Sequence, residues 1–232
     1  MRDRPLDIVA LCGAALLSLY GSAVPACGYV PENHAIVVGV GTYPEDSGWS
    51  RIHGDRDVSM VTGMLVRNGF AEENIVRLVG ERATKETIRN AFLALQSDLE
   101  VGDGVYVHFS GHGQQMTDLD GDEEDGRDEA FVPYDAGKEY VRGEYEGENH
   151  ITDDELYQWL AALSGTVGKS GLVMVVMDAC HSGDATRGPE QGTEDTVLRG
   201  VADVFEIPVD AMSGNALPVG IGGFPKQDGP ER

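Results

Sequence analysis

The chain has 232 residues, 41 % of them hydrophobic, enough to bury one sizeable core. Its 17 Lys and Arg stand against 40 Asp and Glu, a formal net charge of −23. That balance argues against non-specific binding to nucleic acid or anionic lipid and favours cationic partners, including peptides and divalent metals.

After MRDRPLD, the apolar run IVALCGAALLSLYGSAV has signal-peptide rather than membrane-spanning length, and small residues surround Val24-Pro25-Ala26 where a signal peptidase would read them. Residues 1–27 are therefore expected to be a signal peptide or lipoprotein leader, removed or lipid-attached at Cys27. The expected location is periplasmic, secreted or lipid-anchored, and cytoplasmic only if the leader does not function. Membrane contact would come through that leader or its lipid alone. Of the three cysteines, Cys12 and Cys27 fall in or beside the leader, so a disulfide framework is not expected and Cys180 stands apart.

Next comes HAIVVGVG, a β-branched run of a buried strand. DVSMVTGMLVRNGF sets Val58, Val61 and Leu65 on one helical face, with Asn68-Gly69 as a stop. NIVRLVG reads as a second strand, TKETIRNAFLALQSDL as a helix with a stripe of Ile88, Phe92, Leu95 and Leu99, and GDGVYVHFSG as a third strand. ITDDELYQWLAAL opens with a capping box, Thr152-x-x-Glu155, and GLVMVVMD is the fourth strand. Apolar strands alternating with helices predict an α/β fold with a mainly parallel central sheet covered on both faces, expected to span residues 28–200. Residues 201–232 read as an irregular tail, and VLRGVADVFEIPVDA, which begins at Val197, could add a strand.

In parallel sheets function collects at the carboxyl ends of strands, and Gly111-His112-Gly113 and Asp178-Ala179-Cys180 both lie there. A cysteine attacks a carbonyl as thiolate, which requires a base within hydrogen-bond reach and N–H donors for the oxyanion. His112 lies beyond its strand, where a base is useful, whereas His108 is inside it and is expected to pack. Backbone N–H groups at Gly113 and Cys180 are the candidate oxyanion donors. Asp178, two residues before Cys180, is expected to project to the same side and bind a basic substrate side chain, or else to cap the following turn. A metal hydrolase built on His108 and His112 is disfavoured, because four-residue spacing across a strand end does not bring both rings to one side.

YVHFSGHGQQ and MDACHSGDATRG, with DGDEEDGRDEAFVPYDA and ITDDEL between them, resemble the caspase-like cysteine peptidases, most closely the metacaspases and their bacterial relatives, from about His34 to Arg187. The resemblance implies a three-layer α/β/α fold, His112 as general base, Cys180 as nucleophile and cleavage after Arg or Lys. It also implies a second pocket acid before the first long helix. RIHGDRDVSM offers Asp57 for it, with Arg56 where the family keeps Asn; a helix N-terminal acid is the alternative reading. Arg51 lies near the place of an arginine that binds substrate aspartate in caspases, but two carboxylates oppose that preference.

In DLDGDEEDGRDE, Asp118, Asp120, Asp122 and Glu129 follow EF-hand spacing, yet Glu123 stands where the turn needs glycine, and no helix pair flanks the loop. No cofactor is required for the chemistry. Calcium is a candidate activator, because Asp128, Asp153 and Asp154 resemble the family's ligands, although Arg187 replaces a further one. The chain runs only briefly past Cys180 with weak strand signal, so the small-subunit strands of the family are expected to be missing, through a short form or truncation. Arg187 and Arg199 are candidate self-cleavage points. The expected function is a cysteine endopeptidase acting on peptides or proteins with basic residues, its rival a non-catalytic, calcium-responsive binding module.

Overall fold

The computed structural model describes residues 29–121, 123, 125–179 and 203–212. The leader, Cys180 and both candidate self-cleavage arginines lie outside the described residues.

Four apolar strands pair in parallel in the order β2-β1-β3-β7: β1 (Asn33–Gly39), β2 (Ile75–Val79), β3 (Gly104–Ser110) and β7 (Leu172–Asp178). Alternation along these strands divides the core between two faces. Ile36, Val38, Val105, Val107, Phe109 and Val175 pack under α2 (Lys85–Asp98) and α3 (Asp153–Val167), with Phe92 and Trp159 among the covering side chains. Ala35, Val37 and Tyr106 face α1 (Gly54–Arg67) through Val58 and Leu65. The result is the expected three-layer α/β/α arrangement around a mainly parallel sheet.

The helix boundaries follow local chemistry. The α1 helix stops at Asn68 and Gly69, whose φ of +91° suits glycine. At the start of α2 the Thr84 hydroxyl accepts the Thr87 N–H at 3.2 Å, and at α3 Thr152 accepts the Glu155 N–H at 3.3 Å. Only half of the expected capping box forms. The Glu155 carboxylate turns instead to Lys85 Nζ at 2.6 Å, a bridge between the starts of α2 and α3.

A second, antiparallel sheet has no clear counterpart in the sequence pattern: β4 (Gly113–Thr117), β5 (Arg127–Phe131) and the short β6 (Ile151–Thr152). Met116 bridges to Phe205 of the segment 203–212, which ends in the one-turn α4 (Val209–Met212). Part of the expected tail is therefore packed on the body, with Phe205 buried beside Met116 and Ala130. Residues 213–232 lie outside the described residues.

At the opposite pole, Asp103 is fully buried. One carboxylate oxygen accepts the Tyr29 hydroxyl at 2.7 Å and the Glu32 N–H at 2.8 Å, and the other accepts the Glu100 N–H at 2.8 Å. Replacing Asp103 by Ala strands these donors, so the variant is expected to lose roughly 3 kcal/mol. In thermal melts that is a fall of about 6–12 °C, with a smaller fall for Asp103→Asn; an unchanged melt would show that the hub contributes nothing.

Candidate active site

The sheet sets three strand ends in one row, with Gly39 beside Ser110 and Ser110 beside Asp178. Pairing runs one step further, through Val40 N–H to the Ser110 carbonyl at 2.8 Å and Gly111 N–H to the Asp178 carbonyl at 3.3 Å. The chain can pass Gly111 only without a side chain. A Cβ there would sit 2.8 Å from the Phe131 ring and 3.3 Å from the Tyr43 hydroxyl.

His112 follows, almost completely buried. Its backbone N–H donates to the Tyr43 hydroxyl at 3.1 Å, which donates to the Val132 carbonyl at 3.1 Å, and the Val132 N–H returns to the His112 carbonyl at 3.0 Å. Burial holds the Tyr43 phenol well above its usual range, although the His112 N–H works in the opposite direction; it remains a neutral relay. On the imidazole, Nε2 lies 2.9 Å from the Ser50 carbonyl. A carbonyl only accepts, so Nε2 carries the proton and Nδ1 the lone pair of a base. Trp49 stacks on the ring at a centroid distance of 5.0 Å and 26° between planes.

The orientation of the Gly113 N–H follows from the ladder. The Val132 N–H to His112 carbonyl bond makes Gly113 and Phe131 a non-hydrogen-bonded pair, so the Gly113 N–H points away from β5. That is the edge of β4 on which the Gln115 carbonyl and Thr117 N–H bond the backbone of Phe205, at 2.8 and 3.1 Å.

Both candidate pocket acids lie on the α1 face. The Ser110 hydroxyl donates to Asp57 Oδ2 at 2.5 Å, and Asp178, paired with Ser110 in register, presents an exposed carboxylate on the same face. Gly54 permits this approach, since a Cβ on it would collide with the Ser110 and Val40 carbonyls. Ser110 is missing from the sequence reading, yet its position was legible: it is the last residue of β3 on the face with Tyr106 and His108. Arg51 is exposed on the loop that supplies the Ser50 carbonyl. Cys180, two residues beyond β7, lies outside the described residues.

His108 packs as expected, between Val37 and Val176 in the sheet and 6.3 Å from the parallel Tyr106 ring. Among the described residues no group of three His, Cys, Asp or Glu is arranged to hold a metal ion. The acids offered for calcium are nonetheless neighbours. Asp128 on β5 is buried, and burial followed by the charges of Asp118, Asp153 and Asp154 pushes its carboxyl up to about 7. Burial also raises Asp153 and Asp154, each with further repulsion from nearby carboxylates. Asp118 moves the other way, held down by N–H donors led by Gly121.

A buried polar chain, also missed from sequence, ties the returning segment to β4. The Tyr145 hydroxyl donates to His150 Nδ1 at 2.8 Å, His150 Nε2 to Gln114 Oε1 at 2.9 Å, and Gln114 Nε2 to the carbonyls of Lys138 and Asp203 at 3.1 and 3.2 Å. Burial, reinforced by Lys85, lowers His150 to about 3 and keeps it neutral.

The family described as "Metacaspase, peptidase C14 domain" matches residues 34–189, a span that includes His112 and Cys180. Over 137 residues the chain is 36 % identical to Metacaspase-1 of Eremothecium gossypii, covering 56 % of this chain and 27 % of that protein. It is 35 % identical over 138 residues to Metacaspase-1 of Ajellomyces capsulatus, covering 56 % and 35 %. The alignments thus span between 27 % and 35 % of the length of these curated relatives. A crystal structure from Geobacter sulfurreducens superposes with a TM-score of 0.52 at 27 % identity, covering 68 % of this chain and 53 % of that one.

Gly111→Ala forces the Phe131 ring, itself packed 4.9 Å from Phe109, to shift. The expected cost is about 1–3 kcal/mol, together with movement of His112, read as a lower melting temperature and changed histidine NMR shifts. A wild-type melt would show that the turn has room to spare.

Proposed function

We propose that this chain, which belongs to the metacaspase family of C14 peptidases, is a cysteine endopeptidase that cleaves after Arg or Lys with His112 and Cys180. The observation that carries this reading is the Ser50 carbonyl at His112 Nε2, which leaves Nδ1 as the basic atom at the end of the strand beside β7. Cys180 follows that strand by two residues.

In the proposed mechanism Nδ1 takes the thiol proton, and the Cys180 sulfur attacks the scissile carbonyl carbon. The oxyanion is met by the N–H groups of Gly113 and Cys180. The imidazolium, steadied by the Ser50 carbonyl, then gives its proton to the leaving amine as the C–N bond breaks. Water, deprotonated by Nδ1, attacks the thioester; the carboxylate product leaves and the thiol is restored. Asp57 and Asp178 supply negative charge for the guanidinium or ammonium of the residue before the cleaved bond, and Ser110 holds Asp57 in place.

Fluorogenic peptides ending in Arg, Lys or Asp test this directly. Cleavage after Arg and Lys is expected to exceed that after Asp by about a hundredfold or more, and to fall at least about a thousandfold in Cys180→Ala. Silence on every peptide from a folded wild type, or full activity in Cys180→Ala, would sink the assignment.

Calcium, in this reading, serves structure and takes no part in the chemistry. Asp128, Asp153 and Asp154 offer hard oxygen donors, and a cation there would offset the burial and, after it, the carboxylate repulsion that raise Asp128. The folded-state value of Asp128 lies above its ordinary value of 3.8, so stability associated with its protonated form is present at acid pH and lost as pH rises through about 7. At pH 8 calcium is expected to raise the melting temperature of the wild type by several degrees and that of Asp128→Asn hardly at all. In chelator at pH 8 the Asn variant should melt above the wild type, with the difference closing near pH 4; an equal calcium response in both proteins refutes the site.

A further inference from the structure

We infer that Trp49 is a positioning residue for His112: its indole, anchored through its N–H on the Ala136 carbonyl, holds the imidazole plane in which the Ser50 carbonyl selects the nitrogen left for the nucleophile. This rests on the proposed His112/Cys180 chemistry and adds a residue to its support.

Trp49 and Ser50 are neighbours on the loop between β1 and α1, and each grips the imidazole differently. The Trp49 ring lies against its face, 5.0 Å between centroids, while the Ser50 carbonyl bonds Nε2 at 2.9 Å. Stacking fixes the ring plane; the carbonyl fixes rotation within that plane. Tyr43 adds a third ring, 5.4 Å from His112 and 5.9 Å from Trp49. An imidazole sandwiched between the other two would hold them about twice as far apart as stacked neighbours. The rings therefore form a triangle, and the two aromatic neighbours support one side of the imidazole.

The loop is itself tied down at the residues that matter. Trp49 Nε1 donates to the Ala136 carbonyl at 2.9 Å, and the Lys138 N–H donates to the Ser47 carbonyl at 2.9 Å. Within the loop the Ser47 hydroxyl donates to the Pro44 carbonyl at 2.7 Å and accepts the Trp49 N–H at 3.4 Å. The stretch Ala136–Lys138 also holds the segment 203–212 at Asp203. Lys138 Nζ pairs with Asp203 at 3.1 Å, and Gln114 bridges the Lys138 and Asp203 carbonyls. The support of the imidazole and the anchor of the segment 203–212 thus share one bracket.

A residue that only filled the core could be any large apolar side chain. Tryptophan joins the widest ring face of any side chain to an N–H donor at its edge, and that edge is used here. The indole face also favours the imidazolium that forms when Nδ1 takes the thiol proton.

The test uses the full chain with Trp49→Phe, which keeps a ring and loses the donor, and Trp49→Leu, which keeps neither. Three measurements are made: the 15N imidazole spectrum, with His112 assigned by comparison with His112→Gln; the rate of iodoacetamide capture of Cys180 at pH 7, read peptide by peptide; and kcat and KM on the Arg peptide. The wild type is expected to show the Nε2–H tautomer. Trp49→Phe should lower kcat about tenfold and Trp49→Leu about a hundredfold, with KM within about twofold. In Trp49→Leu the His112 signals should move toward a mixture of tautomers and Cys180 capture should slow. Lower melting temperatures with a wild-type 15N pattern, capture rate and kcat would overturn the inference and leave Trp49 as packing only. If Trp49→Leu does not fold, the Phe variant decides by the same readings. If the wild type cleaves no peptide, the peptidase reading falls, while the 15N and capture measurements still judge Trp49.

Discussion

Parallel pairing sets Gly39, Ser110 and Asp178 side by side, and much of the site follows from that row. Because side chains alternate, ending β3 at Ser110 and β7 at Asp178 puts both on the face that α1 covers. The helix reaches them only because Gly54 has no side chain to meet the Ser110 carbonyl. Its first turn then delivers Asp57 to the Ser110 hydroxyl. One register shift in β3 would carry Ser110 to the opposite face and take its hydroxyl away from Asp57.

The proposed base has a different support from the proposed pocket. His112 is held by Tyr43, Trp49 and Ser50 of the β1–α1 loop, and its backbone continues into β4. A buried imidazole needs partners for its polar atoms, and the Ser50 carbonyl meets that need at Nε2 while defining the tautomer. Pocket and base therefore meet at one strand end but depend on different contacts. In the proposed reading, changes in the α1 face would bear on the substrate side chain and changes in the loop on proton transfer.

The parallel strands, the three long helices and the strand-end positions of His112 and Asp178 were legible because each rests on a pattern within one segment. The antiparallel sheet was not. In β4 the sequence is GQQMT and in β5 RDEAF, with glutamines and charged residues where a strand reading looks for apolar runs. Gln114 is buried there because His150, Lys138 and Asp203 satisfy its amide, and no local pattern announces partners so distant in the chain. Glu155 shows the same limit: its capping-box spacing is correct, yet Lys85, seventy residues earlier, claims its carboxylate. Trp49 reads as an isolated aromatic until the fold brings His112 beneath it.

The acidic turn shows why composition alone does not predict electrostatic behaviour. Asp118 and Asp128 lie diagonally across the β4–β5 hairpin, with Asp128 opposite Met116 and Asp118 beside Gly126, and their carboxyls shift in opposite directions. Asp118 is solvated and accepts three backbone N–H groups, from Asp120, Gly121 and Glu123, which stabilise its charge. Asp128 has been withdrawn from water, and the charges it meets there are carboxylates. Compensation available in the turn is used at its tip, so the demand for positive charge concentrates at the buried end, beside Asp153 and Asp154. A cation bound there would act on the junction of β5 with the start of α3, and through the short β6 that junction reaches the hairpin that carries Gly113.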